Sequence, residues 1–240
     1  MRYLMTVSYD GSKFYGFQRL NNKISVQGEL EKALSIINKR EVIVKGSGRT
    51  DRGVHAIGQK IHFDLDVKIP EKRLVNAVNS LLGDYIRVID CNFVNNEFHA
   101  RFNVKEKVYT YIINMGEYDV LKQDYVYNYM KNLDIKSMKK ASKSLIGKHN
   151  YRVFVSGERD NYNSEIYDII FKRKDKYLYI TLKGKSFYRY MVRNIVGALI
   201  LVGSNKLSIT EFNKMVDSNI TKYTYITAPS NGLYLESVKY

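Results

Sequence analysis

The spacing of apolar residues predicts alternating strands and helices in the first part of the chain. Apolar residues at every second position favour a strand over 3–9, and apolar residues at helical spacing favour a helix over 25–40. The buried face of that helix is predicted to consist of Val26, Leu30, Ala33, Leu34 and Ile37. Three further strands are predicted over 41–47, 58–66 and 85–94, and one further helix over 71–83, ending at Gly83.

The remainder of the chain shows the same alternation. Asp134 is predicted to cap the N-terminus of a helix that ends at Gly147, and Ser208 with Glu211 forms the capping box of another. A hairpin is predicted to turn near Asp175. The predicted elements are a strand over 107–116, a helix over 134–147, a hairpin over 165–184, a helix over 186–203, a helix over 208–218 and a strand over 232–240.

This order of elements predicts an α+β protein made of two related sheet-plus-helix halves, each ferredoxin-like or RRM-like. The boundary is predicted near residue 104, which divides the chain into 1–104 and 105–240. No low-complexity linker separates the halves, so they are expected to pack closely with a cleft between them, where sites usually lie.

Charge adds a possible partner to this picture. The chain has 39 Lys and Arg residues against 24 Asp and Glu residues, a net charge of +15. Such a surplus favours a polyanion such as RNA, although a solvated basic surface is the alternative. The 21 tyrosines and 10 phenylalanines include rings that could stack on bases, although most are expected in the core.

The single cysteine, Cys91, excludes an internal disulfide and a cysteine metal cluster, and it is interpreted as a small strand residue. The N-terminus lacks the apolar run of a signal peptide. The longest apolar run, 195–203, is too short to span a bilayer. A soluble cytoplasmic protein without a membrane partner is therefore expected.

The stretch "GSGRTDRGVHAIGQ", over 46–59, places Asp51 between Arg49 and Arg52 in a glycine-rich loop. It lacks the Lys-Ser/Thr pair of a phosphate-binding P-loop. Three interpretations stay open from the residues alone. Asp51 could join His55 and His62 at a metal, it could brace a structural turn, or it could be a nucleophile kept ionised by the cations.

This loop resembles the G-R-T-D-x-G-V-H-A motif of the TruA family of tRNA pseudouridine synthases. Other stretches resemble motifs of the same family, in the same order. "YDGSKFYGFQ" resembles Y-D-G-x-x-Y-x-G-W-Q, and "SVQGELEKAL" resembles T-V-Q-G-x-L-E-x-A-L. "FHARFNVKEKVYTYII" resembles F-H-A-R-F-x-A-x-x-R-x-Y-x-Y-x-I, "SFYRYMVRNIVG" resembles F-x-x-x-M-V-R-N-I-V-G, and "APSNGLYL" resembles A-P-x-x-G-L-Y-L.

The resemblance implies a fold and a set of roles. The two halves would join into one extended antiparallel sheet with a central active-site cleft, and the protein would act as a homodimer on RNA, most specifically tRNA. Asp51 falls on the catalytic aspartate, Tyr109 on the tyrosine that packs against the target base, Arg193 on the arginine that pairs with the aspartate, and Arg49 on the arginine associated with base flipping. The reaction would need neither a cofactor nor a metal.

Several positions depart from the family pattern. Phe17 replaces a tryptophan, Asn150 replaces an acid, and Tyr167 stands where an arginine is usual. Three hypotheses follow: a synthase that modifies positions 38, 39 and 40 of the tRNA anticodon stem-loop, a paralogous synthase that acts on another RNA such as ribosomal RNA, or a non-catalytic RNA-binding protein. The retained Asp51 speaks against the third hypothesis.

Overall fold

A computed structural model describes residues 1–218 and 226–240, and these residues divide into two units. Unit 1 comprises Met1–Lys105 and Tyr234–Tyr240, and unit 2 comprises Glu106–Leu233. In chain order the elements are β1 (Arg2–Tyr9), α1 (Val26–Asn38), β2 (Lys45–Gly46), β3 (His55–Asp64), α2 (Glu71–Leu81), β4 (Ile86–Phe93), β5 (Glu106–Asn114), β6 (Tyr127–Asn128), α3 (Ile135–Ser142), β7 (Gly147–Asn150), β8 (Asn163–Lys174), β9 (Tyr177–Gly184), α4 (Met191–Gly203), α5 (Ile209–Ser218) and β10 (Leu233–Lys239).

Unit 1 is built on a sheet with the strand order β4–β1–β3–β10, with β2 paired to β3. β1 runs antiparallel to both of its neighbours, whereas β10 runs parallel to β3. The two helices bury their apolar faces, including Leu30 and Leu34 of α1 and Leu74 and Val78 of α2. The predicted division assigned the last strand to the second half, but its pairing with β3 places it in unit 1.

Unit 2 is built on the antiparallel strands β5–β9–β8–β7, with the short β6 parallel to β5. α4 is apolar around most of its circumference and almost wholly buried, and it packs against α3 and α5. Both units combine a sheet with helices, so the predicted α+β class is confirmed. Within residues 1–218 and 226–240, no helix is long and apolar enough to cross a membrane.

Three local predictions are confirmed. Asp134 caps α3, since its carboxylate accepts the Ser137 N–H (3.0 Å). The capping box before α5 forms in both directions, from Glu211 N–H to Ser208 Oγ (3.2 Å) and from Ser208 N–H to Glu211 Oε2 (3.0 Å). The β8–β9 hairpin turns at Asp175, which has a left-handed φ of +52°.

The strand predicted over 41–47 is wrong for residues 41–44. Side chains of α1 take the place of a partner strand. The Val44 N–H donates to the Glu31 carboxylate (3.0 Å), and the Val44 carbonyl accepts from Gln27 Nε2 (3.1 Å). The Val42 N–H donates to Ser35 Oγ (2.9 Å). Because these backbone groups are satisfied by side chains, the segment is extended without joining a sheet.

The helices of unit 2 are shorter than predicted. α4 begins at Met191 rather than at 186, because Tyr190 has a left-handed φ of +61° that a right-handed helix cannot continue through. α3 ends at Ser142, and a single 3₁₀ turn over Lys143–Leu145 follows it. Gly147, predicted as the helix end, has a φ of +108° and begins β7.

We expect Gly197→Ala to destabilise the protein, although alanine normally favours a helix interior by about 1 kcal/mol over glycine. A Cβ on Gly197 of α4 would lie 2.1 Å from the Ile226 carbonyl oxygen. Overpacking of this kind costs about 1–3 kcal/mol in the free energy of unfolding. Denaturant titration measures the effect, with Gly83→Ala as the control, because a Cβ there meets nothing within 4 Å. Equal stabilities of the two variants would contradict the expectation.

Candidate active site

The loop between β2 and β3 turns tightly at the predicted catalytic carboxylate. The Val54 N–H donates to the Asp51 carbonyl oxygen (3.1 Å), which closes a four-residue turn over Asp51–Val54. Gly53, at the third position, has a φ of +79°, as a type II turn requires, and glycine adopts it without strain. Asp51 therefore begins a turn whose geometry depends on the glycine two residues later, and its side chain is half-buried.

The segment between β1 and α1 lies directly behind this turn. The Phe17 N–H donates to the Thr50 carbonyl oxygen (3.1 Å). A Cβ on Gly11 would lie 1.9 Å from the Val54 carbonyl oxygen, and one on Gly16 would lie 2.8 Å from the Thr50 carbonyl oxygen. Two backbones therefore touch here, which only glycine permits at both positions.

A buried polar network holds the other side of the loop. Thr50 Oγ1 lies 2.8 Å from the Tyr9 hydroxyl oxygen, and Gln59 Nε2 donates to the Gly48 carbonyl (3.0 Å). Gln59 Oε1 accepts from Ser47 Oγ (2.7 Å). Burial raises the pKa of Tyr9 to about 12, so its hydroxyl stays protonated at neutral pH. The network fixes the residues on the N-terminal side of Asp51.

His55 braces the C-terminal side of the same loop. It is 3% exposed, and its Nδ1 accepts the Gly11 N–H (3.1 Å). Its ring stacks on Tyr234 of β10, with centroids 4.7 Å apart and planes 20° apart. These two contacts hold His55 in place at the start of β3.

His62 occupies a separate place in β3. Its Nδ1 accepts the Ala100 N–H (3.1 Å), and its ring lies edge-on to His99 with centroids 4.6 Å apart. Burial, followed by the neighbouring His99, lowers the pKa of His62 to about 4. In the part of the chain that the structure describes, no three His, Cys, Asp or Glu side chains are arranged to hold a metal ion. The geometry thus does not assemble a site from Asp51, His55 and His62.

Cys91 lies within β4, as the sequence suggested, and is buried. Burial, and to a smaller extent the nearby carboxylates of Glu71 and Asp90, raises the pKa of its thiol to about 12. A thiol that stays protonated at neutral pH is a poor nucleophile, because the thiolate is the reactive form. Its place in the strand is sufficient to account for this residue.

Tyr109 lies in the middle of β5 in unit 2. It is 7% exposed and pairs with Leu182 of β9. Its ring meets Phe187 edge-on, with centroids 5.3 Å apart and planes 81° apart. Gly184 leaves room for the Phe187 ring, because a Cβ on Gly184 would lie 3.0 Å from that ring. Phe187 thus sets the orientation of Tyr109, a contact that the sequence did not reveal.

Arg193 lies in the first turn of α4, also in unit 2. Its Nε donates to the Ala228 carbonyl oxygen (2.7 Å), and the Ala228 N–H donates to the Arg193 carbonyl oxygen (3.2 Å). The guanidinium carbon lies 5.0 Å from the centroid of the Tyr190 ring. The neighbouring Asn194 is anchored to the Phe154 carbonyl (2.8 Å). The arginine is therefore held in place by a carbonyl and a ring.

Arg49 is exposed on the Asp51 loop, and in the described ranges 1–218 and 226–240 it forms no ion pair. Arg52 is also exposed, and its guanidinium carbon lies 4.5 Å from the centroid of the Tyr15 ring. The sequence shows Arg52 only as a charge beside Asp51. Its contact with Tyr15 could not be predicted, because the two residues are far apart in the sequence.

Two departures from the family pattern lie in unit 2. Asn150 ends β7, and its Oδ1 accepts the Arg152 N–H (3.0 Å), so it stabilises a local turn. Tyr167 is 40% exposed and stands where the register of β8 against β9 shifts between Ile166 and Asp168. Both side chains therefore lie at the surface, where a change of residue type is tolerated by the fold.

The arrangement provides the parts for nucleophilic chemistry on RNA. A carboxylate on a rigid turn can attack an electrophilic carbon, and exposed guanidinium groups on the same turn can bind phosphates. The sequence profile of one family, described as tRNA pseudouridine synthase, matches residues 5–103 and 141–240, most of the chain. The chain belongs to this family. It is accordingly an RNA pseudouridine synthase, an isomerase.

Curated members of the tRNA pseudouridine synthase family resemble the chain over its full length. The protein named tRNA pseudouridine synthase A in Borrelia duttonii is 41% identical to this chain, and the match covers 99% of this chain and 98% of the relative. In Bacillus subtilis the identity is 38%, over 100% of this chain and 99% of the relative. The solved Cbf5-Nop10-Gar1 complex matches 82% of this chain and 54% of its own, with 9% identity and a TM-score of 0.36, too weak a likeness to support an argument.

We expect Gly16→Ala to lower the rate of pseudouridine formation at least tenfold in this synthase. Gly16 has a φ of +99°, and its Cβ would come 2.8 Å from the Thr50 carbonyl oxygen and 3.3 Å from the Asp51 carbonyl carbon. The turn would have to move, and a shift of about 1 Å at a catalytic group can cost about a hundredfold. Tritium release from tRNA labelled at uridine C5 measures the rate. Wild-type activity in this variant would show that the turn does not depend on the contact.

Proposed function

We propose that this protein converts uridine into pseudouridine at positions 38, 39 and 40 of the tRNA anticodon stem-loop, with Asp51 as the nucleophile. The observation that supports the proposal most strongly is the Asp51 loop. Asp51 is the first residue of a type II turn, and Arg49 and Arg52 lie on either side of it in the sequence. Close backbone contacts with Gly11 and Gly16 fix the main chain of the turn. A rigid turn fixes the Cα–Cβ direction of Asp51, so the carboxylate is placed within a small region, as nucleophilic attack requires.

The reaction is a balanced isomerisation. The N1–C1′ bond of uridine breaks, the detached uracil rotates, and a C5–C1′ bond forms. The proton lost from C5 is matched by a proton gained at N1, so nothing is oxidised or consumed. The carboxylate of Asp51 can assist either by attacking C1′ of the ribose or by adding to C6 of the ring, and it is regenerated by both routes.

Three further residues are given the roles that the resemblance implies. Arg49, exposed on the loop, assists extrusion of the target nucleotide, which costs a few kcal/mol of lost stacking. Tyr109 packs on the uracil and retains it while it rotates, with Phe187 setting its ring orientation. Arg193 keeps the nucleophilic carboxylate ionised, because a guanidinium stays charged at all relevant pH values.

tRNA is the favoured substrate because the full-length relatives bear the name tRNA pseudouridine synthase A. The net charge of +15 suits a polyanion of this size. Asn150 and Tyr167, which keep another RNA open as a substrate, are both exposed. A homodimeric state and a cytoplasmic location stay predictions.

We expect Asp51→Asn to abolish pseudouridine formation and to leave RNA affinity within a few-fold of wild type, because phosphate contacts dominate affinity. In cells lacking the protein, pseudouridine mapping of total RNA should show loss at tRNA positions 38–40. Wild-type protein and Asp84→Asn, a change at an exposed turn, should restore the modification, and Asp51→Asn should not.

Loss of pseudouridine from ribosomal RNA alone would instead support the hypothesis of a paralogous synthase that acts on that RNA. Restoration by Asp51→Asn would remove this residue as the nucleophile.

Tyr109 is expected to act through both its ring and its hydroxyl. Tyr109→Leu should lower rate and affinity together, since base stacking on an aromatic is worth about 1–3 kcal/mol. Tyr109→Phe keeps the ring, so its affinity should be retained. Positioned proton transfer typically contributes about a hundredfold or more, so the single-turnover rate of Tyr109→Phe should fall if the hydroxyl assists removal of the C5 proton. A leucine variant as fast as wild type would leave Tyr109 with a packing role alone.

A further inference from the structure

The ring of Tyr15 holds two cations beside the Asp51 turn. Lys23 Nζ lies 4.5 Å from the ring centroid, and the Arg52 guanidinium carbon also lies 4.5 Å from it. Tyr15 is 41% exposed, and both cations are exposed as well. The three residues, named here the Tyr15 cluster, therefore form a solvent-facing site in unit 1.

Backbone contacts fix the parts of the Tyr15 cluster relative to one another. The Tyr15 N–H donates to the Ile24 carbonyl oxygen (2.9 Å), and an isolated β-bridge joins Leu20 to Lys23. The next residue, Gly16, touches the turn itself, because its Cβ position lies 3.3 Å from the Arg52 nitrogen. The close contact of Gly16 with the turn therefore helps to position both the Tyr15 cluster and Asp51.

The charges of the Tyr15 cluster are not balanced by carboxylates. Three arginines of unit 1 have acidic partners: Arg2 with Asp64 (2.8 Å), Arg19 with Glu31 (3.2 Å) and Arg40 with Asp66 (3.6 Å). Across the described residues, neither Lys23 nor Arg52 has a carboxylate within ion-pair distance. Because both cations approach one ring centroid, they lie within a Debye length of each other, about 10 Å at 0.1 M ionic strength. Two such cations favour an anion between or beside them.

We propose that the Tyr15 cluster binds a backbone phosphate of the RNA next to the target nucleotide. The inference rests on the proposed function, because it names a contact of the same substrate. Arg52 directly follows Asp51, so a phosphate bound by its guanidinium lies close to the nucleotide on which the carboxylate acts. A guanidinium stacked on a ring retains N–H groups at its edge, which suit the bidentate binding of phosphate oxygens.

Two residues of the Tyr15 cluster occupy positions that the family motifs leave open. Tyr15 occupies an open position of the Y-D-G-x-x-Y-x-G-W-Q motif, and Arg52 occupies the open position of the G-R-T-D-x-G-V-H-A motif. The motif therefore demands neither the ring nor the cation. We infer that the Tyr15 cluster adjusts how firmly this protein holds its RNA, on a catalytic loop whose other residues follow the family pattern.

Salt-dependent binding tests the inference without relying on turnover. An unmodified tRNA transcript is titrated against Asp51→Asn protein, and log affinity is plotted against log salt concentration. Arg52→Gln and Lys23→Gln, each added to this background, should each make the slope shallower by about 0.7–0.9, as expected for one lost phosphate contact. Lys72→Gln, which removes an exposed cation of α2, should change the slope by less than about 0.2.

Ring and charge are separated by further variants. Arg52→Lys should keep the slope but lose part of the affinity, because lysine binds phosphate as a point charge. Tyr15→Phe should bind as wild type, and Tyr15→Leu should weaken binding a few-fold at unchanged slope, because the two cations lose their common support. Circular dichroism spectra that match wild type establish that each variant is folded.

The outcomes also separate this inference from the proposed function. If the parent protein binds tRNA with a steep salt slope and Arg52→Gln and Lys23→Gln behave like Lys72→Gln, the phosphate site is wrong and the proposed function stands. If the parent protein shows no salt-dependent tRNA binding and the wild type forms no pseudouridine, the proposed function itself fails.

Discussion

The contact between two backbones behind the Asp51 turn is the constraint on which the candidate site depends. Gly11 and Gly16 lie so close to the loop that a Cβ at either position would overlap a carbonyl oxygen, and Gly53 needs a positive φ to close the turn. The position of Asp51 is therefore set by main-chain geometry. This constraint leaves side chains on the outer surface of the turn, such as Arg52, free to differ without disturbing the chemistry.

Unit 2 positions its functional side chains in another way. Tyr109 is oriented by an aromatic neighbour, and Arg193 by the carbonyl of Ala228. That carbonyl belongs to a segment that lies close against α4, where Gly197 leaves room for the Ile226 carbonyl. α4 is buried on nearly every side, and Arg193 in its first turn is half-buried with its Nε hydrogen-bonded to a carbonyl, as a buried charge requires. The apolar stretch that the sequence shows over 195–203 is thus the support of Arg193.

Much of the fold could be predicted because it follows from local patterns. The capping box at Ser208 and the hairpin turn at Asp175 depend on residues within a few positions of each other, and both are confirmed. Predictions were wrong where distant side chains replaced local partners. Glu31 reaches the backbone of Val44, so a β-rich stretch forms no strand there. The Asp51 loop could be recognised by its residues as the candidate site, whereas the contact between Tyr15 and Arg52 could not, because only the folded chain brings those residues together.

The membership of β10 in unit 1 has a consequence for synthesis of the chain. Tyr234 stacks on His55, and Leu235 pairs with Ala56. The start of β3, directly after the Asp51 loop, therefore pairs with some of the last residues to be synthesised. Translation proceeds at roughly 5–20 residues per second, and more than half of the chain separates the two strands. During that interval His55 and Ala56 of β3 lack their partners in β10, and His55 lacks its stacking partner. A nascent chain still attached to the ribosome therefore carries the Asp51 loop before the strand that pairs next to it has been released.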